Sequence, residues 1–177
     1  GDAGGGHAER VVARRLAQRL GWSDERIRAI EAAARAHDWG KKRRIWQEAA
    51  GKRNGDVPVA KPKWLNGRAL GGYRHELGSL VEIARHADEF AGLGDAEREL
   101  AVHLVAAHHG WGRPQFPERG LDKEAVRLSQ EKARGAARRF GRLQRRFGAY
   151  GLAYLEAVFR CADALASAKA PEADDDQ

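Results

Sequence analysis

Residues 24–41 read DERIRAIEAAARAHDWGK, and this stretch decides the fold class. Its apolar residues recur at helical spacing, with Ile27, Ile30 and Ala34 three and four positions apart. The same spacing continues to His37, which places this imidazole on the buried side of the helix. The stretch therefore predicts an amphipathic helix with a histidine on its buried face near its end, followed directly by an aspartate.

The composition of the whole chain extends this prediction to its other elements. The 177 residues include 33 alanines, but only nine valines, four isoleucines and no threonine. Because β-branched residues favour strands and alanine favours helices, the composition disfavours all-β and α/β folds and predicts an all-α fold. The single cysteine rules out a disulfide framework, and no apolar run is long enough for a transmembrane helix. We expect a soluble, basic, cytoplasmic protein.

The chain divides into one folded domain and two short ends. We expect a flexible segment at 1–6, a helical domain at 7–169 and an acidic tail at 170–177. The periodicity predicts about six to eight helices in all, the first over 7–20. A loop at 52–72 is long for a compact domain, and such loops often serve as lids or face the substrate.

Histidines and aspartates gather at the predicted helix ends. Taken alone, each is more typical of a helix-end hydrogen bond, a helix cap or a buried salt bridge. Taken together, they supply a bridging carboxylate, several neutral imidazoles and a second carboxylate. This is the donor set of a dinuclear metal site that activates water for attack on phosphorus. The residues concerned are His7, His37, Asp38, His75, His108, His109 and Asp163.

Four short motifs carry a family resemblance. They are AHDWGK at 36–41, YRHE at 73–76, AAHHG at 106–110 and ADALAS at 162–167. These motifs resemble those of the HD superfamily of metal-dependent phosphohydrolases. More narrowly, they resemble the HD nuclease domain of the helicase–nuclease from type I CRISPR systems. The resemblance covers residues 7–168, and it implies a compact HD-type helical bundle with a nuclease role in antiviral defence.

The resemblance also implies a role for each matching residue. Asp38 would bridge two divalent ions, Lys41 would stabilise charge at the scissile phosphate, and Ser167 would contact the phosphate. Imidazole donors suit Fe, Ni, Co or Zn, whereas carboxylate donors suit Mn or Mg, so the native metal stays open. The remaining ligands form two sets, which are His7, His37 and Asp163 for one ion and His75, His108 and His109 for the other.

A basic segment precedes the last helix. Residues 121–147 hold nine lysines and arginines against three acidic residues, which accounts for six of the net charge of +7. We expect a helix or helix pair here, with a break near Gly135 or Gly141. The segment suits a polyanion such as DNA, and a solvated helix face is an almost equally good interpretation. The arginines assigned to substrate binding lie on one helical face: Arg138, Arg142 and Arg145.

The leading hypothesis is a metal-dependent DNA endonuclease or exonuclease that acts on single-stranded DNA. In the family, a helicase feeds the strand to the nuclease after the CRISPR surveillance complex has opened the target. The resemblance thus implies that complex and a motor, in the same polypeptide or a separate subunit, as partners. The alternatives are an HD phosphohydrolase of small nucleotides and a non-catalytic HD domain that binds nucleic acid. The positive net charge favours a polymer over a mononucleotide.

Overall fold

The computed structural model describes residues 5–53, 56–59 and 62–169. The regular structure within these ranges is helical. Within these ranges there is no strand, so the predicted all-α fold is confirmed. Most of the expected N-terminal segment, residues 1–4, and the acidic tail, 170–177, lie outside the described residues. The α-helices are α1 (Gly5–Arg19), α2 (Asp24–Ala36), α3 (Arg44–Ala49), α4 (Gly67–Leu70), α5 (His75–Arg85), α6 (Asp95–Ala107) and α7 (Val126–Lys169).

Helices α1 and α2 pack against each other through alanines. Ala13 and Ala17 of α1 are fully buried, as are Ala29 and Ala33 of α2. Short side chains at the contact let the two helix axes approach closely. The same face of α1 carries Glu9, four residues before Ala13, and this carboxylate is buried as well.

The core lies between α2, α6 and the C-terminal half of α7. Helix α2 packs on α6, α1 and α6 pack on α7, and α5 packs on α6 and on a 3₁₀ turn at Trp39–Lys42. Leu77, Leu104 and Phe159 are buried where these helices meet. This packing brings the end of α2, the start of α5, the end of α6 and the last part of α7 to one place. No helix in the described ranges is long and apolar enough to cross a membrane.

Helix α7 is interrupted once, at Gly148, where φ is 72° and ψ is 166°. Of the predicted helix or helix pair, the single helix is confirmed up to Gly148, and no break occurs at Gly135 or Gly141 because the helix runs through both positions. A glycine inside a helix lowers its stability by about 1 kcal/mol relative to alanine, and this alone does not end the helix. Gly148 ends it because only glycine adopts a positive φ without steric cost.

The predicted loop at 52–72 contains one short helix, α4. The side chain of Asn66 accepts hydrogen bonds from the backbone N–H groups of Arg68 at 3.1 Å and Ala69 at 3.2 Å. These bonds satisfy two N–H groups that a helix start leaves without partners. The described remainder of the segment has no regular structure, and its role as a lid stays a prediction.

Candidate metal centre

Helix α2 ends at the candidate metal centre. His37 follows its last turn, is buried, and donates a hydrogen bond from Nδ1 to the carbonyl oxygen of Ala34 at 2.9 Å. Its Nε2 therefore faces two carboxylates, with Asp38 Oδ2 at 3.6 Å and Asp163 Oδ1 at 3.5 Å. Adjacent residues within a helix point about 100° apart. Asp38 reaches the same place as His37 because its backbone has left the helix, with φ −100° and ψ 4°.

Three histidines form the first donor group, which we call the imidazole group. His75 begins α5, and its Nε2 lies 3.2 Å from Nε2 of His108, which follows the last turn of α6. Nδ1 of His108 donates to the carbonyl oxygen of Val105 at 2.7 Å, so this ring is oriented as His37 is. One ring nitrogen from each of His75, His108 and His109 lies within 4.8 Å of the others.

A second donor group, the mixed group, consists of Glu9, His37 and Asp163, whose ligand atoms also lie within 4.8 Å of one another. The structure differs here from the expected set, since His7 is exposed and Glu9 takes its place. Residues two positions apart on a helix lie about 200° apart around its axis, so the side chains of His7 and Glu9 leave α1 on opposite sides. Glu9 lies four residues before Ala13, whose burial is seen only in the structure, so the sequence alone gave no signal for it.

The carboxylate of Asp38 lies between the two groups. Its Oδ2 faces His37 in the mixed group, and its Oδ1 lies 3.5 Å from Nε2 of His75 in the imidazole group. Oδ1 is buried, and it has no hydrogen-bond partner among the described residues. A buried carboxylate oxygen without a partner is unfavourable, and a bound cation would satisfy it. The imidazole and carboxylate donors thus fit divalent metal ions at this place.

The two groups differ in protonation. Burial lowers the pKa of His37, but the hydrogen bond with Asp163 and the charge of Asp38 outweigh it and raise the pKa to about 9. Burial lowers the pKa of His75 to about 3 and that of His108 well below its ordinary value. At pH 7, without metal, the mixed group holds an imidazolium between carboxylates, whereas the two buried rings of the imidazole group are neutral.

Backbone contact locks the 3₁₀ turn after Asp38 onto α5. The N–H of Gly40 donates to Ser79 Oγ at 2.8 Å, and Ser79 Oγ donates to the carbonyl oxygen of His37 at 2.6 Å. The hydroxyl of Tyr73 donates to the Gly40 carbonyl at 2.9 Å. A Cβ at Gly40 would lie 2.0 Å from the carbonyl oxygen of His75, so only glycine fits. The aspartate and the first histidine of the imidazole group are thus held at a fixed separation.

A family model described as Cas3, HD domain, matches residues 6–173. The chain belongs to this family. The match spans nearly the whole chain, which confirms the resemblance to the HD domain of the CRISPR helicase–nuclease and indicates an HD-type hydrolase. HD domains bind divalent metals, in agreement with the two donor groups. No curated protein and no solved structure gives a significant match.

Lys41 and Ser167, two further residues predicted for the Cas3 HD site, differ in their exposure to solvent. Nζ of Lys41 donates to Asp38 Oδ2 at 2.8 Å, and it lies 5.6 Å from the centre of the Trp46 ring. This ammonium group therefore compensates the carboxylate between the donor groups. Ser167 is exposed on α7, four residues after Asp163.

The arginines predicted to bind substrate lie on the N-terminal half of α7 and are exposed. Nε of Arg142 donates to Glu99 Oε1 of α6 at 2.5 Å. Glu99 precedes His108 by nine residues, which corresponds to roughly 13 Å along a helix. The structure thus places Arg142 beside the far end of α6 from the metal centre. The binding role of Arg138, Arg142 and Arg145 stays a prediction.

Proposed function

We propose that this Cas3 HD domain is a nuclease that cleaves phosphodiester bonds of single-stranded DNA with two divalent ions bridged by Asp38. One observation carries the proposal, which is the position of the Asp38 carboxylate. Its oxygens face two donor groups on different helices, with Oδ1 3.5 Å from His75 Nε2 and Oδ2 3.6 Å from His37 Nε2. A single-ion site needs no such shared carboxylate, whereas ions roughly 3.5–4 Å apart are typical of phosphodiester hydrolysis.

Divalent ions held by the two donor groups and Asp38 would supply an activated water and positive charge for attack on phosphorus. The chain's own residues prepare the place for them. The backbone bonds of His37 and His108 fix each ring with Nε2 facing inward. His37 would lose its Nε2 proton if that nitrogen bound an ion. The Lys41 ammonium, 2.8 Å from Asp38 Oδ2, adds a positive charge beside the scissile phosphate.

The surface charge supports a polymeric substrate. The net charge of +7 attracts a polyanion, and the exposed guanidinium groups on α7 can neutralise phosphates outside the centre. We infer that a helicase motor, in the same polypeptide or in a separate subunit, delivers the strand after a CRISPR surveillance complex has opened the target. This partnership belongs to a cytoplasmic antiviral defence system.

Metal analysis combined with a substrate panel tests the proposal. The purified chain is incubated with Mn²⁺, Co²⁺, Ni²⁺ or Mg²⁺ and with circular single-stranded DNA, linear single-stranded DNA, duplex DNA or nucleoside phosphates. We expect both single strands to be cut, duplex DNA and nucleotides to remain largely intact, and a chelator to stop the reaction. Dephosphorylation of a nucleotide without cleavage of DNA under any metal would transfer the assignment to a small-molecule phosphohydrolase.

A further inference from the structure

Two buried imidazoles of the centre are oriented by the helices that end at them. Nδ1 of His37 donates to the carbonyl of Ala34 at 2.9 Å, and Nδ1 of His108 donates to that of Val105 at 2.7 Å. Each acceptor lies in the last turn of a helix, where carbonyls have no N–H partner within the helix. Because Nδ1 of each ring makes this hydrogen bond, Nε2 is the ring nitrogen that faces the centre.

His75 cannot be oriented in this way, because no helical turn directly precedes it. It is the first residue of α5, and Gly72, three residues earlier, lies outside the helix with φ 85°. Nδ1 of His75 instead faces Oε2 of Glu76 at a distance of 3.6 Å. Glu76 is 1% exposed, and its Oε2 has no hydrogen-bond partner among the described residues. A ring nitrogen of a buried histidine and a buried, unpartnered carboxylate oxygen therefore face each other.

We propose that Glu76 is a positioning residue, whose carboxylate accepts the Nδ1–H of His75 and holds the Nε2 lone pair toward the imidazole group. This role rests on the metal centre of the proposed function. The 3.6 Å separation exceeds hydrogen-bond distance by a few tenths of an ångström, so the bond requires the ring or the carboxylate to move by that much. A carboxylate bonded to a ligand imidazole fixes its tautomer and makes its metal-binding nitrogen more basic.

The chain offers a matched control pair outside the donor groups. Nε2 of His103 on α6 lies 2.7 Å from Oε1 of Glu156 on α7, and the two side chains are 0% and 5% exposed. Neither residue belongs to a donor group. Glu156→Gln therefore measures what happens when a buried carboxylate beside a histidine is removed without a change at the metal centre.

The first measurement uses the metal-free chain, so it is independent of enzymatic activity. Nitrogen NMR of ¹⁵N-histidine-labelled protein at pH 7 reports which ring nitrogen of His75 carries hydrogen, and His75→Gln assigns the signal. We expect protonation at Nδ1 in the wild type and in Glu76→Gln, whose amide oxygen still accepts, and a shift toward Nε2 in Glu76→Leu. Protonation at Nε2 in the wild type, or an unchanged tautomer in Glu76→Leu, would overturn the proposal.

The second measurement is a calorimetric titration with Co²⁺. We expect Glu76→Leu to weaken Co²⁺ binding by about 10–100-fold, Glu76→Gln to weaken it less, and Glu156→Gln to leave it unchanged. An equal loss in Glu156→Gln would show a general effect of removing buried carboxylates and would exclude the positioning role. If the wild type binds no Co²⁺, the proposed function fails, and the tautomer of metal-free His75 still decides the role of Glu76. If Glu76→Leu does not fold, the tautomer of His75 in the wild type still tests the role of Glu76.

Discussion

The imidazole group and the mixed group differ in charge before any ion is present. The imidazole group offers three nitrogen donors, and burial keeps His75 and His108 neutral at pH 7. The mixed group offers two carboxylates and one imidazole, and His37, with a pKa of about 9, holds a proton between them. An ion entering the first group displaces no proton from the buried rings, whereas an ion entering the second must displace one from His37.

This difference teaches that the two positions are not equivalent. Neutral nitrogen donors suit Fe, Co, Ni and Zn, whereas carboxylate oxygens suit Mn and Mg. We therefore expect the imidazole group to fill first at neutral pH, and the mixed group to gain affinity as the pH rises. Asp38 faces both groups, and under the proposed function it joins them into one centre.

The largest expected effect comes from the residue that joins the two groups. Asp38→Ala removes the shared carboxylate, so we expect metal content to fall and cleavage of single-stranded DNA to drop by at least ~10³-fold, since loss of one electrostatic stabiliser already costs about 10²–10³. Elemental analysis and a cleavage assay measure both. The control is Asp88→Ala, which removes an exposed carboxylate from another turn. Full activity in a well-folded Asp38→Ala protein would exclude the bridged centre.

A smaller effect separates Glu9 from His7 as the third member of the mixed group. Glu9 lies within the group, whereas His7 is exposed. We expect Glu9→Gln to reduce activity by at least about 10–100-fold, the loss seen even for partners that only support a ligand. His7→Gln should retain both the activity and the metal content. The reverse ranking of the two variants would restore His7 as the ligand.

The proton on His37 predicts a pH effect confined to the mixed group. A metal-free His37 with a pKa of about 9 is protonated below that pH, so Mn²⁺ affinity should rise as the pH increases from 7 to 9. One displaced proton corresponds to about a tenfold gain per pH unit, and the gain should level off above the pKa. Calorimetry in buffers of different ionisation enthalpy should count about one proton released when both groups fill. Release of no proton, or of one proton from each group, would contradict the difference in protonation between the two groups.

The smallest effect concerns the basic face of α7, which lies outside both groups. Replacing Arg138, Arg142 and Arg145 by Gln should flatten the slope of log affinity against log salt by about 2, at roughly 0.7 per phosphate contact on single strands. Hydrolysis of a small chromogenic phosphodiester should be nearly unchanged. An unaltered salt slope would make these arginines a solvated surface and direct the DNA path to the segment at 52–72.

Helical periodicity and helix stops predicted single donors near helix ends, whereas the family resemblance alone implied their grouping around two ions. The spacing in α2 predicted His37 on the buried face, and the helix stops that follow the histidine motifs predicted donors at helix ends. Glu9 was missed because the buried face of α1 depends on its neighbour. The larger Val12 and Leu16 are only half-buried, whereas Ala13 and Ala17 are fully buried against α2. Because α1 and α2 approach closely, the small alanines of α1 form its buried face, and Glu9 is buried on the same face.

The choice between one helix and a helix pair in the basic segment stayed open for a related reason. Gly135, Gly141 and Gly148 all lie in or beside the same basic segment, and their local sequences give the same signal. Each is compatible with a helix or with a turn. Packing of the two halves of α7 against the rest of the bundle decides which glycine takes the positive φ, and that information is not local. The motifs, by contrast, combine residue type with position and were placed correctly on their helices.

The contact between Gly40 and α5 limits how this domain can be regulated. Any change of shape that drew Asp38 away from His75 would first have to separate two backbones that touch and that Ser79 and Tyr73 tie together. A partner protein that separated these two ligands would therefore have to break the hydrogen bonds of Ser79 and Tyr73. If the domain cleaves DNA as proposed, control of cleavage at this pair of ligands would fall more readily on admission of the strand than on displacement of the ligands. The timing of cleavage would then be set by whatever delivers the strand.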